Sequence, residues 1–374
     1  MTPIKFEPSP AHTLGVEVEV SLIDPVTRTL SPAAPRVLQR LGADWAKPEL
    51  FQTIVEVVTG VCKDVGEVRA DLSAKLGALQ KAAEAEGVAL TCTGTHPIAQ
   101  WHEYPITDDQ RYLQLIERMQ WPARRLLICG IHIHVGVPSG EHAIALLNSL
   151  CCFLPHFVAT SASSPFWLGL DTGLASSRVK VFEGLPTAGL PPRIANWAEF
   201  VALMRTLIGA GSIQTIREIW WDVRPHPGFG TVELRMADGV NTLSEICALA
   251  AYAQCLVAFL TELYDSGEAL PLLKRWTLAE NKWRSARFGE HAKMIRNERG
   301  QTVPISDHIM EWMNYLLPIA ERLGCAEDLA YLGRILEHGP SYRRQRRALD
   351  ELGSLENVVD VMIQELKEDR PWHP

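Results

Sequence analysis

The stretch LGVEVEVSL at residues 14–22 constrains this chain more than any other. Strict alternation of valine with an acid predicts a β-strand, because successive side chains point to opposite faces. Val16, Val18, Val20 and Leu22 share one face. Glu17 and Glu19 share the other, roughly 7 Å apart. A single alternating pair of this kind is compatible with a sheet that has one wet face. The wet face is the commoner case for one such pair; the sharper reading is a face that gathers cations, and the rest of the chain decides between the two.

The same i, i+2 device recurs. GIHIHVGV (130–137) sets His132 and His134 on one side and Ile131, Ile133 and Val135 on the other. TVELR (231–235) does so with Glu233 and Arg235, and DVR (222–224) pairs Asp222 with Arg224. Glu56 stands alone inside the apolar run TIVEVVT, and Glu49 precedes it by seven residues. Each alone reads as a satisfied core group or a solvated face. Together they place charge repeatedly in strands that look central, and burying charge is costly unless it is paired or bound to metal. Carboxylates with one imidazole suit Mg²⁺ or Mn²⁺, and guanidinium forks suit phosphate or carboxylate. Neither GxxxxGK[ST] nor GxGxxG occurs, so a bound nucleotide is held by neither of those glycine loops.

The remaining sequence frames that face. The 374 residues, 47% apolar and 21% charged, suffice for a full globular core. A net charge of −8 argues against nucleic acid as a partner. MTPIKFEPSP has no basic start followed by an apolar run, so no signal peptide is expected. The eight cysteines form no CxxC pair and read as reduced core thiols of a cytoplasmic protein. The longest apolar stretch, 248–260, contains a Gln and is too short to span a membrane, so it reads as a buried helix.

Strands are expected at 14–23, 52–59, 88–94, 126–137, 219–225 and 230–238. Helices are expected at 64–86, capped by Asp64, at 108–119, at 140–160, capped by Ser139, and at 195–209. Six more follow, at 241–265, 270–287, 305–322, 325–337, 340–350 and 354–368. The Gly- and Pro-rich segment 161–193 reads as a long loop folding over a site. No linker separates domains. The expectation is one α+β catalytic domain over 1–374, with a sheet-forming core at about 13–240 and a helical part at about 241–368. The sheet is mainly antiparallel and curved, with helices packed on one face.

GVEVEVSLID, ELFQTIVEVVTGVC (49–62), GIHIHVGV, WWDVRPHPGFGTVELRMADG (220–239) and ENKWRSARFG (280–289) occur in that order. In them the chain, from about 13 to 365, resembles the YbdK-type carboxylate–amine ligases, also called glutamate–cysteine ligase type 2, which share the catalytic sheet of glutamine synthetase. The resemblance implies a glutamine synthetase-like fold and an ATP-dependent reaction. Glutamate is phosphorylated on its γ-carboxylate, and an amine such as cysteine attacks the acyl phosphate, with Mg²⁺ or Mn²⁺ bridging the phosphates. It implies Glu17, Glu19, Glu56, His132 and Glu233 as metal ligands, and His134 facing substrate or nucleotide. Arg224, Arg235 and Arg178 are implied as catalytic groups that bind phosphate or carboxylate. It also implies a homo-oligomer, at least a dimer, and assigns no role to Asn281, Arg284 and Arg287.

Two positions depart from the family pattern. Val18 replaces the middle acid of E-E-E, on the face away from the metals, and Leu174 and Ser177 stand where tyrosines are common, in a loop expected to shape the acceptor pocket. Three other readings fit less of the sequence. A zinc hydrolase built on His132 and His134 lacks a βα repeat. A phosphagen-kinase-like phosphotransferase does not account for E-x-E with HxH. A relict binding module would not need every acid on the metal face.

Overall fold

The computed structural model describes residues 4–373. The alternation at 14–22 does form a strand, β1 (Leu14–Ile23). Val16, Val18 and Val20 are buried while Glu17 and Glu19 remain half-buried on the opposite face. Burial of each valine contributes about 1.5–3 kcal/mol, and this anchors the strand with its acids turned to the other side.

Six further strands complete the sheet: β2 (Ala46–Pro48), β3 (Ile54–Val58), β4 (Ala89–Thr91), β5 (Gly130–Gly136), β6 (Val223–His226) and β7 (Thr231–Asp238). Their spatial order is β6–β7–β5–β1–β3–β2, with β4 pairing the C-terminal end of β1 on the edge opposite β3, and all neighbours are antiparallel. The register aligns the polar residues across strands. Glu17 faces His132, Glu19 faces Glu56, His134 faces Glu233, and Glu233 faces Arg224. Between Leu234 and Ala237 the pairing of β7 with β5 slips by one residue, a β-bulge beside Arg235.

Helices Val65–Ala85, Gly140–Leu150, Leu154–Ser161 and Leu243–Asp265 cover the apolar face. Asp64 and Ser139 cap the first two as expected, accepting from the backbone N–H groups of Glu67 and His142. The expected helix 140–160 is broken by a 3₁₀ turn, Cys151–Phe153. Pro155, in the first turn of the next helix, lacks the N–H that a continuous helix would need. The apolar run 248–260 lies within the 23-residue helix Leu243–Asp265. By length and composition that helix and the stretch Gly140–Ser161 could each cross a membrane, but both are mostly buried inside this fold.

The expected strand 219–225 is two pieces. Trp220–Trp221 pairs in parallel with Ala188–Gly189, and Asp222 then lets the chain turn into β6. The expected loop 161–193 contains two short strand pairings and the helix Arg178–Phe182. Helices after residue 304 pack on Leu243–Asp265 and on each other. They are tied inward by Arg344, which is buried between Glu245 and Glu365.

Candidate active site

The polar face of the sheet is the floor of a cavity of about 540 Å³. Glu17, Glu19, Glu56, His132, Arg178, Arg224 and Arg235 all line it. Glu233 lies beneath them, with no exposed surface. Tyr112, Leu115, Leu126, Phe182 and Trp220 form an apolar wall that belongs to a second hydrophobic cluster.

Two groups of donors converge on the floor. The ligand atoms of Glu17, His132 and Glu233 lie within 4.8 Å of one another, and so do those of Glu19, Glu56 and His132. His132 Nδ1 lies 2.9 Å from Glu17 Oε2, and His134 Nε2 lies 3.4 Å from Glu17 Oε1. Burial pushes the Glu17 carboxyl up, but these two imidazoles outweigh burial and hold it well below the usual carboxylate range. Burial pushes His132 down to about 4, so its imidazole is neutral and fit to ligate. Burial raises Glu19 to about 7 against the pull of Arg178, with Glu56 adding to the rise. Burial, Glu17 and Glu49 together raise Glu56 to about 8. A floor where Glu17 is already ionised while Glu19 and Glu56 resist ionisation until a cation arrives, with hard oxygens and one imidazole as donors, fits Mg²⁺ or Mn²⁺.

Three arginines border the acids. Arg224 Nε and Nη2 reach Glu233 Oε2 and Oε1 at 2.6 and 3.2 Å, and Arg235 Nη1 pairs with Glu233 Oε1. Burial pushes Glu233 up, but Arg224 and Arg235 hold it well below its ordinary value. In this state its oxygens are therefore turned to guanidinium. Arg178, 2% exposed, approaches the carbonyls of Arg235 and Met236 at 3.5 Å, beside the bulge. The buried Nε groups of Arg178 and Arg235 have no hydrogen-bond partner, and neither has His134 Nε2. Orphaned donors of this kind beside a cavity suit an anion.

Every predicted site residue except Asp222 is brought to this face. Asp222 is buried and accepts from Lys282 Nζ instead of joining Arg224. Leu174 and Ser177 do not line the cavity; Leu174 instead offers its carbonyl to Arg346. Asn281 holds the backbone of Ile295, and Arg284 pairs with Glu280 and the carbonyl of Lys293. The guanidinium of Arg287 stacks on Phe288. All three are structural contacts away from the floor. Glu49 does belong to the cavity, and burial beside Glu19 raises it to about 7. His226 and Phe229, stacked at 4.0 Å in the HPGFG turn, also line it. Parity could have found His226, two residues past Arg224 at the end of β6, but Glu49 and Phe229 stand outside the alternating runs.

Residues 13–361 match the family profile described as glutamate-cysteine ligase family 2. A protein of Thermobifida fusca named "Putative glutamate--cysteine ligase 2" is 48% identical over 375 residues, 98% of this chain and 94% of its own. One of Frankia alni named "Putative glutamate--cysteine ligase 2-1" is 49% identical over 376 residues, covering 98% of each chain. The crystal structure of a glutamate–cysteine ligase from Francisella tularensis in complex with AMP superposes with a TM-score of 0.72. That match covers 99% of this chain and 91% of that one at 12% identity, and it shows a shared α+β fold. On sequence and fold together, the chain belongs to glutamate–cysteine ligase family 2.

Proposed function

We propose that the protein is an ATP-dependent carboxylate–amine ligase that joins the γ-carboxyl of glutamate to an amine, with cysteine as the first candidate acceptor. The observation that carries this reading is a single cavity where two groups of cation donors stand beside three buried arginines, two of which, Arg178 and Arg235, have an unpartnered Nε. Cations and anions are accommodated together, as a nucleotide triphosphate and a carboxylate require. The relatives named for glutamate–cysteine ligation support the same chemistry.

Glu17, His132 and Glu233, and Glu19, Glu56 and His132, would hold Mg²⁺ or Mn²⁺. When bound, the ions supply neutralising charge to the phosphates. The rest falls to the protein's own groups. Arg224 and Arg235, now paired with Glu233, would redirect N–H donors from Glu233 to phosphate oxygens as charge shifts in the reaction. Arg178 Nε and Arg235 Nε add unengaged donors for the γ-phosphoryl group or the substrate carboxylate, and His134 would face the substrate beside Glu17. The apolar wall excludes water from the acyl phosphate. The glutamate γ-oxygen attacks the γ-phosphorus and ADP departs. The amine nitrogen then attacks the acyl carbon, inorganic phosphate departs, and one proton is released.

The test is ADP release with MgATP and L-glutamate, alone and then with individual amino acids and simple amines. Amine-stimulated release with a new amide product by mass establishes the ligase and identifies its acceptor. Glutamate-dependent release without a preferred amine keeps acyl-phosphate chemistry and discards cysteine. Silence from folded protein across the panel overturns the reading.

A further inference from the structure

Lys282 belongs to the ENKWRSARFG stretch but does nothing that its helix, Arg275–Phe288, requires. It is 2% exposed, and its ammonium lies 2.6 Å from Asp222 Oδ2 and 2.6 Å from Glu183 Oε1. Neither acid is on the same helix. Glu183 directly follows the helix Arg178–Phe182. Asp222 immediately precedes β6, which carries Arg224, and its carbonyl accepts from the backbone N–H of Arg235 at 2.8 Å. One buried ammonium is thus bonded to both supports of the three guanidinium groups.

The other end of the Arg178 helix is anchored separately. Asp238 accepts from the hydroxyls of Ser164 and Ser176, and Ser164 Oγ in turn accepts from the Arg178 backbone N–H. The serine cage fixes where the helix starts, and Lys282 fixes where it ends relative to β6 and β7. Burial lowers the lysine, but Asp222 and Glu183 outweigh it, so the ammonium stays charged. A buried ion pair adds little net stability compared with apolar packing of the same volume. Its distinct contribution here is geometric, because short charged hydrogen bonds tolerate little displacement.

We propose that Lys282 is a positioning residue: it clamps the Arg178 helix to the strands bearing Arg224 and Arg235, and so fixes the three guanidinium groups relative to one another. This rests on the ligase reading, in which those groups receive ATP phosphates. Removing the lysine alone would strand two buried carboxylates, so the test uses a neutralised set. The variant carries Lys282→Met, Asp222→Asn and Glu183→Gln in the full-length protein, compared with Glu183→Gln alone. Calorimetric MgATP binding, Mn²⁺ binding and ADP release are measured for each.

Mn²⁺ affinity is expected to fall much less than ATP affinity, because Glu17, Glu19, Glu56 and His132 stand on strands that Lys282 does not touch and only Glu233 stands on one that it does. ATP binding is expected to weaken, and kcat to fall on the order of 10²-fold in the triple variant, as a displacement near 1 Å would cause. Glu183→Gln alone should show the same split to a smaller degree, and it serves as the test if the triple variant does not fold. A folded variant with wild-type ATP affinity and kcat, or one that loses Mn²⁺ and ATP binding in parallel, overturns the inference. Wild-type protein that fails to bind MgATP overturns the ligase reading itself.

Discussion

Gly130 opens β5 opposite the guanidinium of Arg178, and Gly130→Ala is a perturbation aimed at that single contact. An added Cβ would lie 2.0 Å from Arg178 Nη2 and 2.6 Å from its Cζ, where ordinary contact begins at 3.4 Å. The guanidinium must therefore retreat by about 1.4 Å, because two atoms cannot interpenetrate. The backbone at Gly130 is not in the left-handed region, so alanine meets no torsional penalty there. What moves is the far end of one flexible side chain, giving up two long contacts of 3.5 Å. The stability cost is then that of local overpacking, about 1–3 kcal/mol. Activity is more sensitive. A misplacement near 1 Å costs about 10²-fold, or about 2.7 kcal/mol of barrier. Coupled ADP-release kinetics at saturating MgATP and glutamate, beside a thermal melt, read both effects. We expect a folded variant with kcat down about 10²-fold. A variant with wild-type kcat would refute the placement of Arg178 among the reacting groups.

Glu17→Gln should fold normally and lose at least about tenfold in Mn²⁺ affinity by titration, since it removes a charged donor from the group with His132 and Glu233. Above about pH 7, where the buried histidines held at about 4 are neutral folded and unfolded alike, the ion-free protein should lose stability as pH rises. Glu19 and Glu49 at about 7 and Glu56 at about 8 keep more protons in the folded state than the unfolded chain keeps above its ordinary value of 4.5. Melts at about pH 7 and about pH 8.5 should show that fall, and saturating Mg²⁺ should reduce it. Arg344→Met should cost about 3–5 kcal/mol in chemical denaturation, because Glu245 and Glu365 would lose their shared buried partner. Arg284→Ala should change stability by no more than about 0.5 kcal/mol and leave kcat at the wild-type value.

Much of the floor was legible because alternation is a one-dimensional signal with a three-dimensional meaning. Val16, Val18 and Val20 require burial, and that requirement alone turns Glu17 and Glu19 to the cavity. The same parity in β5 and β7 exposes His132, His134, Glu233 and Arg235 to each other across the register. Parity failed at Asp222, where the chain leaves a short parallel pairing before entering β6, so Asp222 and Arg224 do not share one continuous strand. Glu49 and Phe229 reach the cavity from a connection and a turn, where no period exists to be read, whereas His226 shares the parity of Arg224 at the end of β6. Lys282 was hidden for a different reason. Its partners lie 60 and 99 residues away in sequence, joined only by tertiary packing. The break at Cys151–Phe153 could have been read from Pro155, whose missing N–H interrupts an otherwise helical apolar run.

The period of two in β1 also limits how this protein can change. Insertion or deletion of one residue between 14 and 22 would turn Glu17 and Glu19 into the packed face and the valines outward, so stability and chemistry would fail together. A substitution at Val18, by contrast, meets only Val57, Ile131 and the helices behind them. Evolution along this strand can therefore exchange side chains on either face almost independently, but it cannot alter the count. Drift is free in identity and frozen in length, and an alignment gap inside these nine residues would mark a chain that had abandoned this chemistry.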